Sequence, residues 1–199
     1  MNESSREQKA ALRFRIRETL KGLPPSARRA ASAQACSRLR QEPIWREAGS
    51  VLLYFPLSDE LDIEPLLHEA LAEGKELALP RFEVDQQNYL ARRVLDLRQD
   101  LRPGRFGIPE PKAGCVELPL KQLDLVVAPG VGFTLDGCRL GRGRGFYDRL
   151  LAFVGGVRCG IGFDEQIVDA IPTEPHDIRL DCILTPTRWS PVVQSADFK

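Results

Sequence analysis

Net charge is absent from this chain: lysine plus arginine and aspartate plus glutamate number 28 each among 199 residues. With no net field, neither a nucleic acid nor an anionic membrane is expected as the main partner, and any cationic site must be local. Histidine is scarce; His68 and His176 have no metal-type spacing, which argues against a zinc centre. The cysteines, at 36, 115, 138, 159 and 182, are odd in number and form no Cys-x-x-Cys pair. That pattern excludes a disulfide framework and fits reduced thiols in the cytoplasm. Cys159 and Cys182 fall in apolar runs and read as small hydrophobes, not nucleophiles. No apolar run approaches the length of a membrane span. The polar opening, with Glu3, Glu7 and Glu18 among arginines, resembles neither a secretory signal nor an acid-poor transit peptide. Repeats and low-complexity tracts are missing too. The length suits one sizeable core, and a single domain over residues 1–199 is expected.

What is present is a change of pattern near residue 50. Before it, Ser4 and Glu7 have capping-box spacing, and Ala11, Leu12, Ile16 and Leu20 recur at helical intervals up to Gly22. After Leu23-Pro24-Pro25, Ser26 is placed to cap a second, alanine-rich helix that runs to about Arg40. Residues 1–42 therefore read as a helical hairpin packed on the core of the domain. Beyond it, apolar runs at 51–55, 77–79, 123–128, 159–163 and 182–184 are continuous instead of alternating, as in strands buried on both faces. Between the first two lies a helix over 62–74, with Asp62 at its start and Gly74 as its stop. Residues 82–122 read as an irregular insertion over one face, with a two-strand excursion near 89–94 and a turn at Gly107-Ile-Pro-Glu-Pro111. The expected fold class is α/β: a mostly parallel central sheet with helices on both faces, in three α/β/α layers.

The densest motif is Arg139-Leu-Gly-Arg-Gly-Arg-Gly-Phe-Tyr-Asp-Arg149. Glycines 141, 143 and 145 allow close backbone approach and positive φ, while Arg139, Arg142, Arg144 and Arg149 offer charge and forked donors. If residues 146–154 are helical, the loop feeds a helix N-terminus, which attracts anions. The loop is neither a Walker A motif nor a good dinucleotide fingerprint. A bland alternative stays open: a surface turn at Asp136-Gly137 followed by a glycine-rich connection. Asp148, in the first turn of the proposed helix, is a cap or a magnesium ligand on a nucleotide. Asp177 is a turn residue or a second such ligand. Lys9 and Arg13, at i and i+4, share a helix face that is either solvated or folded back onto the anion site. Glu60 follows the first core strand and so falls at the ligand-binding edge of such a sheet, either in a plain polar loop or as an acceptor for the amino and amide N–H groups of a heterocycle. His68 reads as a helix-surface residue.

Taken together, Pro129-Gly-Val-Gly-Phe133 and the segment from Arg139 to Asp148 resemble the signature of the 5-formyltetrahydrofolate cyclo-ligase family, also called methenyltetrahydrofolate synthetases. Lys9-Ala-Ala-Leu-Arg13, Glu60, Pro80-Arg81, Gly107-Ile-Pro-Glu-Pro111, Gly162-Phe-Asp-Glu-Gln166, Ile171-Pro172 and His176-Asp177 are similar to its other landmarks, in order. The resemblance implies ATP- and Mg²⁺-dependent closure of 5-formyltetrahydrofolate to 5,10-methenyltetrahydrofolate. It also implies small-molecule partners only, with no nucleic acid or membrane, and a monomer. It assigns ATP to Lys9, Arg13, Arg139, Leu140, Gly141, Arg142, Gly143, Arg144, Gly145, Phe146 and Tyr147, with Arg142 and Arg144 at the transferred phosphoryl group. It assigns the folate to Phe55, Glu60, Phe106, Arg142, Gly143, Arg144, Gly145 and Phe146, and magnesium to Asp148 and Asp177. Two positions depart from the family pattern: Phe146 replaces a tyrosine, and Arg144 stands where lysine or glycine is common. Two other readings remain: a phosphate-binding isomerase or CoA-transferase-like protein without ATP hydrolysis, and an arginine-glycine RNA-binding segment.

Overall fold

The computed structural model describes residues 3–104 and 107–192. Its helices are α1 (Glu3–Lys21), α2 (Pro25–Gln41), α3 (Pro43–Arg46), α4 (Glu64–Ala72) and α5 (Phe146–Leu151). Seven strands form the main sheet: β1 (Ser50–Leu52), β2 (Glu76–Glu83), β3 (Asn88–Val94), β6 (Leu125–Ala128), β9 (Val157–Ile161), β10 (Cys182–Leu184) and β11 (Trp189–Pro191). Two small ribbons complete the fold: β4 (Leu101–Pro103) with β5 (Pro109–Pro111), and β7 (Gly132–Phe133) with β8 (Arg139–Leu140).

The main sheet has the order β11-β10-β9-β6-β1-β2-β3. Its inner five strands run parallel, and β3 and β11 close the two edges antiparallel. The continuous apolar runs follow from this. Val51, Leu77, Leu125, Val127, Cys159, Ile161 and Leu184 pack on the side that holds α1 to α4. Their alternate neighbours Leu52, Ala78, Val126, Ala128 and Ile183 pack on the other, with Leu150 and Leu151 of α5. Both faces are covered, so a period of two leaves no polar positions to see. The three-layer arrangement matches the expected fold class.

Several local expectations need correction. Helix α1 is already formed at Glu3, so Ser4 lies inside it and accepts a bond from Gln8 Nε2 at 3.4 Å instead of capping. Helix α2 begins at Pro25, and Ser26 makes no cap; a proline at the first helical position suits a site where no N–H is needed. Residues 82–94 are not an insertion over a face. Strand β2 runs on to Glu83 and turns back into β3, pairing from Leu77 with Val94 to Glu83 with Asn88. Helix α5 stops at Leu151 instead of reaching 154. In α4 the cap position is Ile63, which makes no side-chain cap; Asp62 stands one residue earlier and accepts the Glu64 N–H at 3.0 Å in a local turn that leads into the helix.

Asp124 fixes the entry to the sheet. Its Oδ2 accepts the Gly49 N–H, the Ser50 N–H and the Ser50 hydroxyl, each at 2.9 Å. Ser50 and Gly49 together hold its carboxyl below the ordinary range. A depressed carboxyl contributes stability above its unfolded pKa and loses it as pH falls through the folded value. Asp124→Asn is therefore expected to melt several degrees below the parent at neutral pH. Thermal scans against pH should show that gap closing as the medium is acidified below the carboxylate range.

Candidate active site

The chain leaves β6 at Ala128 and passes through Pro129 and Gly130 into the β7–β8 ribbon. That ribbon turns at Gly137, whose φ of 91° favours glycine, and Thr134 Oγ1 accepts the Cys138 N–H at 3.0 Å. The Asp136-Gly137 turn and the glycine loop are thus consecutive parts of one device. At Gly132 a Cβ would lie 2.6 Å from the Cδ1 of Ile16 in α1, so any side chain there would push the Ile16 side chain aside. That close approach seats α1 on the ribbon. Gln166, almost wholly buried, secures the strand exit: its Nε2 donates to Gly130 O at 2.7 Å and Val131 O at 3.0 Å.

The loop itself spans 141–145, with Gly143 at φ 98° and Gly145 at φ 64°. Gly141 is not in that region. Arg139 stands beneath the loop with its side chain 3% exposed. Its Nη1 donates to Pro129 O at 3.2 Å and its Nη2 to Asp148 Oδ1 at 2.8 Å, and its guanidinium lies 5.6 Å from the Tyr147 ring. From above, Arg13 Nε donates to Gly141 O at 2.8 Å, so the N-terminal helix does fold back onto the loop. Arg142 Nη2 reaches away to Asp59 Oδ1 at 2.6 Å and Glu60 Oε1 at 2.9 Å. Arg144 is exposed and has no ion pair among the described residues. Arg149 ties the loop to the turn before β3: its Nη1 donates to Arg144 O at 3.4 Å and its Nη2 to Gln87 O at 3.1 Å, and its guanidinium lies over the face of Phe146.

These residues surround a cleft of about 350 Å³ at the carboxyl ends of β1 and β6. Of the residues expected at a site, Phe55, Glu60, Arg139, Gly141, Arg142, Arg144, Gly145, Phe146, Tyr147 and Asp148 line it. Gly143 sits on the outer side under Arg13, its own Cβ position 3.5 Å from the Arg13 Cζ. Leu140 is buried in β8 and can offer only its backbone. Phe106 lies outside the described residues. Tyr54, Leu79, Pro80, Tyr89 and Glu110 also line the cleft and carry no role in the sequence reading. Tyr89 reaches it because β3 pairs back along β2. That places Tyr89 in edge contact with Phe82 at 5.5 Å and with Phe146 at 5.4 Å. Phe146 is also edge-on to Phe82 at 5.1 Å, so the position without a hydroxyl sits among rings.

Lys9 is a turn away from Arg13 and has a different address. Its Nζ donates to Asp177 Oδ2 at 2.7 Å and to Glu174 Oε2 at 3.0 Å, while Asp177 also accepts the Glu174 N–H at 2.8 Å. Burial opposes the charge on Lys9, but the two carboxylates outweigh it and raise its pKa. Asp177 is not on the cleft wall beside Asp148. Glu174, His176 and Asp177 bring three ligand atoms within 4.8 Å, with the Lys9 ammonium already neutralising two of them. Asp148 fits a cation on a bound nucleotide better: it opens on the cleft, and only Oδ1 is held by Arg139.

Electrostatics divide the cleft into two halves. Glu60 has a side chain only 8% exposed. Burial raises its pKa, against the opposing effects of the Leu57 N–H and of Arg142. For Asp59 burial acts in the same sense, but Arg142 prevails and lowers its pKa. The phenol of Tyr147 is pushed far up by burial and by Glu60, so it is a neutral donor at any working pH. One end of the cleft therefore offers a buried acceptor among rings, the other a cationic loop whose backbone N–H groups at 141–145 meet no acceptor among the described residues. A heterocycle with its own N–H donors suits the first and a polyphosphate the second.

The model of the 5-formyltetrahydrofolate cyclo-ligase family matches residues 5–186. This chain belongs to the 5-formyltetrahydrofolate cyclo-ligase family. The cyclo-ligase of Escherichia coli (strain K12) is 32% identical over 177 residues, covering 87% of this chain and 97% of that one. The Mus musculus cyclo-ligase is 28% identical over 193 residues, covering 88% and 92%. The NMR structure of the Aquifex aeolicus 5,10-methenyltetrahydrofolate synthetase superposes with a TM-score of 0.84 at 32% identity, covering 96% of each chain. Cyclo-ligase members thus share this chain's fold over nearly its whole length. None of the described helices is long and apolar enough to cross a membrane.

The side chains of Lys9, Glu174 and Asp177 are 10%, 11% and 20% exposed. Removing the ammonium would leave two poorly solvated carboxylates side by side. Lys9→Met should cost about 2–3 kcal/mol, somewhat less than the ~3–5 kcal/mol for breaking a fully buried pair. Urea unfolding should show this as a lower midpoint at unchanged slope; an unchanged midpoint would mean the pair is effectively solvated.

Proposed function

We propose that this chain closes 5-formyltetrahydrofolate to 5,10-methenyltetrahydrofolate at the expense of ATP, releasing ADP and phosphate. The observation that carries the reading is a single cleft with the buried Glu60 acceptor at one end and the arginine-glycine loop at the other, joined by Arg142. The formyl oxygen is a poor leaving group. It attacks the γ-phosphorus of ATP as the bond to ADP breaks; N10 then attacks the activated formyl carbon, N10 gives up its proton, and phosphate departs with the former formyl oxygen. Alignment and charge neutralisation drive such a reaction, and no protein nucleophile is needed.

In this reading Phe55, Glu60 and the rings around Phe146 hold the folate, with Phe106 a further candidate. Gly141, Gly143, Gly145 and Leu140 present backbone, while Arg13, Arg142 and Arg144 meet the phosphates. Arg139 and Tyr147 support the loop from below. Magnesium would be held by Asp148 and would shield the phosphate charge. A phosphate that drew Lys9 away from Asp177 would release that carboxylate as a second ligand. The four buried cysteines, with Cys115 also a free thiol, support a reducing, cytoplasmic setting. We read the chain as a monomer working as one unit.

Protein mixed with 5-formyltetrahydrofolate and MgATP should generate the absorbance of the methenyl product. Failure of a folded sample to do so would sink the proposal. MgADP should raise the melting temperature while sugar phosphates should not, which separates this activity from a phosphate-binding isomerase. Asp148→Ala should lose about 100-fold or more in turnover, the scale of a lost charge-stabilising group, and should also melt below the parent, because it leaves the covered Arg139 guanidinium unpaired. An unaltered dependence on magnesium in that variant would remove Asp148 from the metal site.

A further inference from the structure

Two residues that line the cleft each carry a fully buried side-chain atom without a hydrogen-bond partner among the described residues: Arg139, at its Nε, and Tyr54, at its hydroxyl. The arginine is otherwise well satisfied through its two terminal nitrogens. The tyrosine has nothing. Tyr54 lies two residues beyond the end of β1, is 3% exposed, and contributes to the sheet's main apolar cluster. A phenylalanine would fill that space without desolvating a hydroxyl, so folding alone disfavours the tyrosine. The polar groups that act most strongly on its hydroxyl are Glu60 and then Tyr147, both in the cleft wall. Burial pushes its phenol far above the ordinary range, which keeps the proton on oxygen and makes the group a donor.

Glu60 supplies only acceptors, and in the free chain it is occupied by the Leu57 N–H and Arg142. The ring edge of a 2-amino-4-oxo pterin offers two donors, the amino group and the ring N–H, followed by a carbonyl acceptor. A carboxylate can read the first two but not the third. We propose that Tyr54 is a specificity-determining residue, whose hydroxyl donates to the C4 carbonyl of the pterin while Glu60 accepts from the neighbouring N–H groups. The inference rests on the folate reading above. It requires the ring edge to displace Arg142 from Glu60 and to seat deeply enough to reach the hydroxyl. The displaced guanidinium is then available to the phosphate end of the cleft.

The test uses the full chain and Tyr54→Phe, titrated calorimetrically without ATP against 5-formyltetrahydrofolate and its 4-amino counterpart. Free Tyr54→Phe should melt at or above the parent temperature, since it loses an unpaired buried hydroxyl. The ratio of affinities, 4-oxo over 4-amino, should fall about tenfold in the variant, the scale of one neutral hydrogen bond. An unchanged ratio would overturn the assignment, as would a lower melting temperature with equal loss of both ligands, the mark of a structural role. If the parent chain bound neither pteridine, the folate reading itself would fall, and this inference with it.

Discussion

The ion pair between Arg139 and Asp148 is the contact on which the site depends. Arg139 is almost fully covered, and with one guanidinium it holds the carbonyl of Pro129 just past β6 and the carboxylate in the first turn of α5. The glycine loop is strung between those anchors. Glycines at positive φ have little intrinsic preference for one path, so a loop rich in them keeps its shape only where its ends are fixed. Tyr147 lies against the same guanidinium, and α1 closes the loop from above through Arg13 and the contact of Ile16 with Gly132. A charge this poorly solvated is tolerable because its partner is beside it.

A second theme is that most of the charge around the cleft is already neutralised in the free chain. Lys9 is bound by Glu174 and Asp177, Arg139 by Asp148, and Arg142 by Asp59 and Glu60. Binding a polyanion and a donor-rich heterocycle would therefore be an exchange of partners. Arg142 is the hinge of that exchange, since the carboxylate it would leave is the one a heterocycle would take. The chain's zero formal charge agrees with this arrangement: its cations are arranged in local pairs instead of a spread field.

Phe146 illustrates how a departure from a family pattern is absorbed. Alone in the sequence it is a missing hydroxyl. In the fold it meets Phe82 and Tyr89 edge-on and carries Arg149 over its face, so the position works through ring contacts. Those neighbours come from β2 and β3, more than fifty residues earlier, and nothing in the local sequence announces them. The misreading of 82–94 as an insertion has the same origin. The return of β3 along β2 is set by pairing at the sheet edge, which no period in β3 itself displays.

The sequence by itself determined the layer architecture, because strands covered on both faces must be continuously apolar and the helix between the first two must be stopped, as it is at Gly74. It also determined the chemical character of the loop, because glycine suits the positive φ at 143 and 145 and arginines supply forked charge along it. Tertiary structure alone decided which residues share the cleft. Lys9 and Arg13 are neighbours on one helix face, yet one binds the 174–177 turn and the other the loop. Asp148 opens on the cleft while Asp177 does not, and Tyr54, outwardly a core residue, becomes part of its wall. Distances of this kind depend on how helices seat on the sheet, through contacts such as Ile16 on Gly132, and sequence spacing carries no record of them.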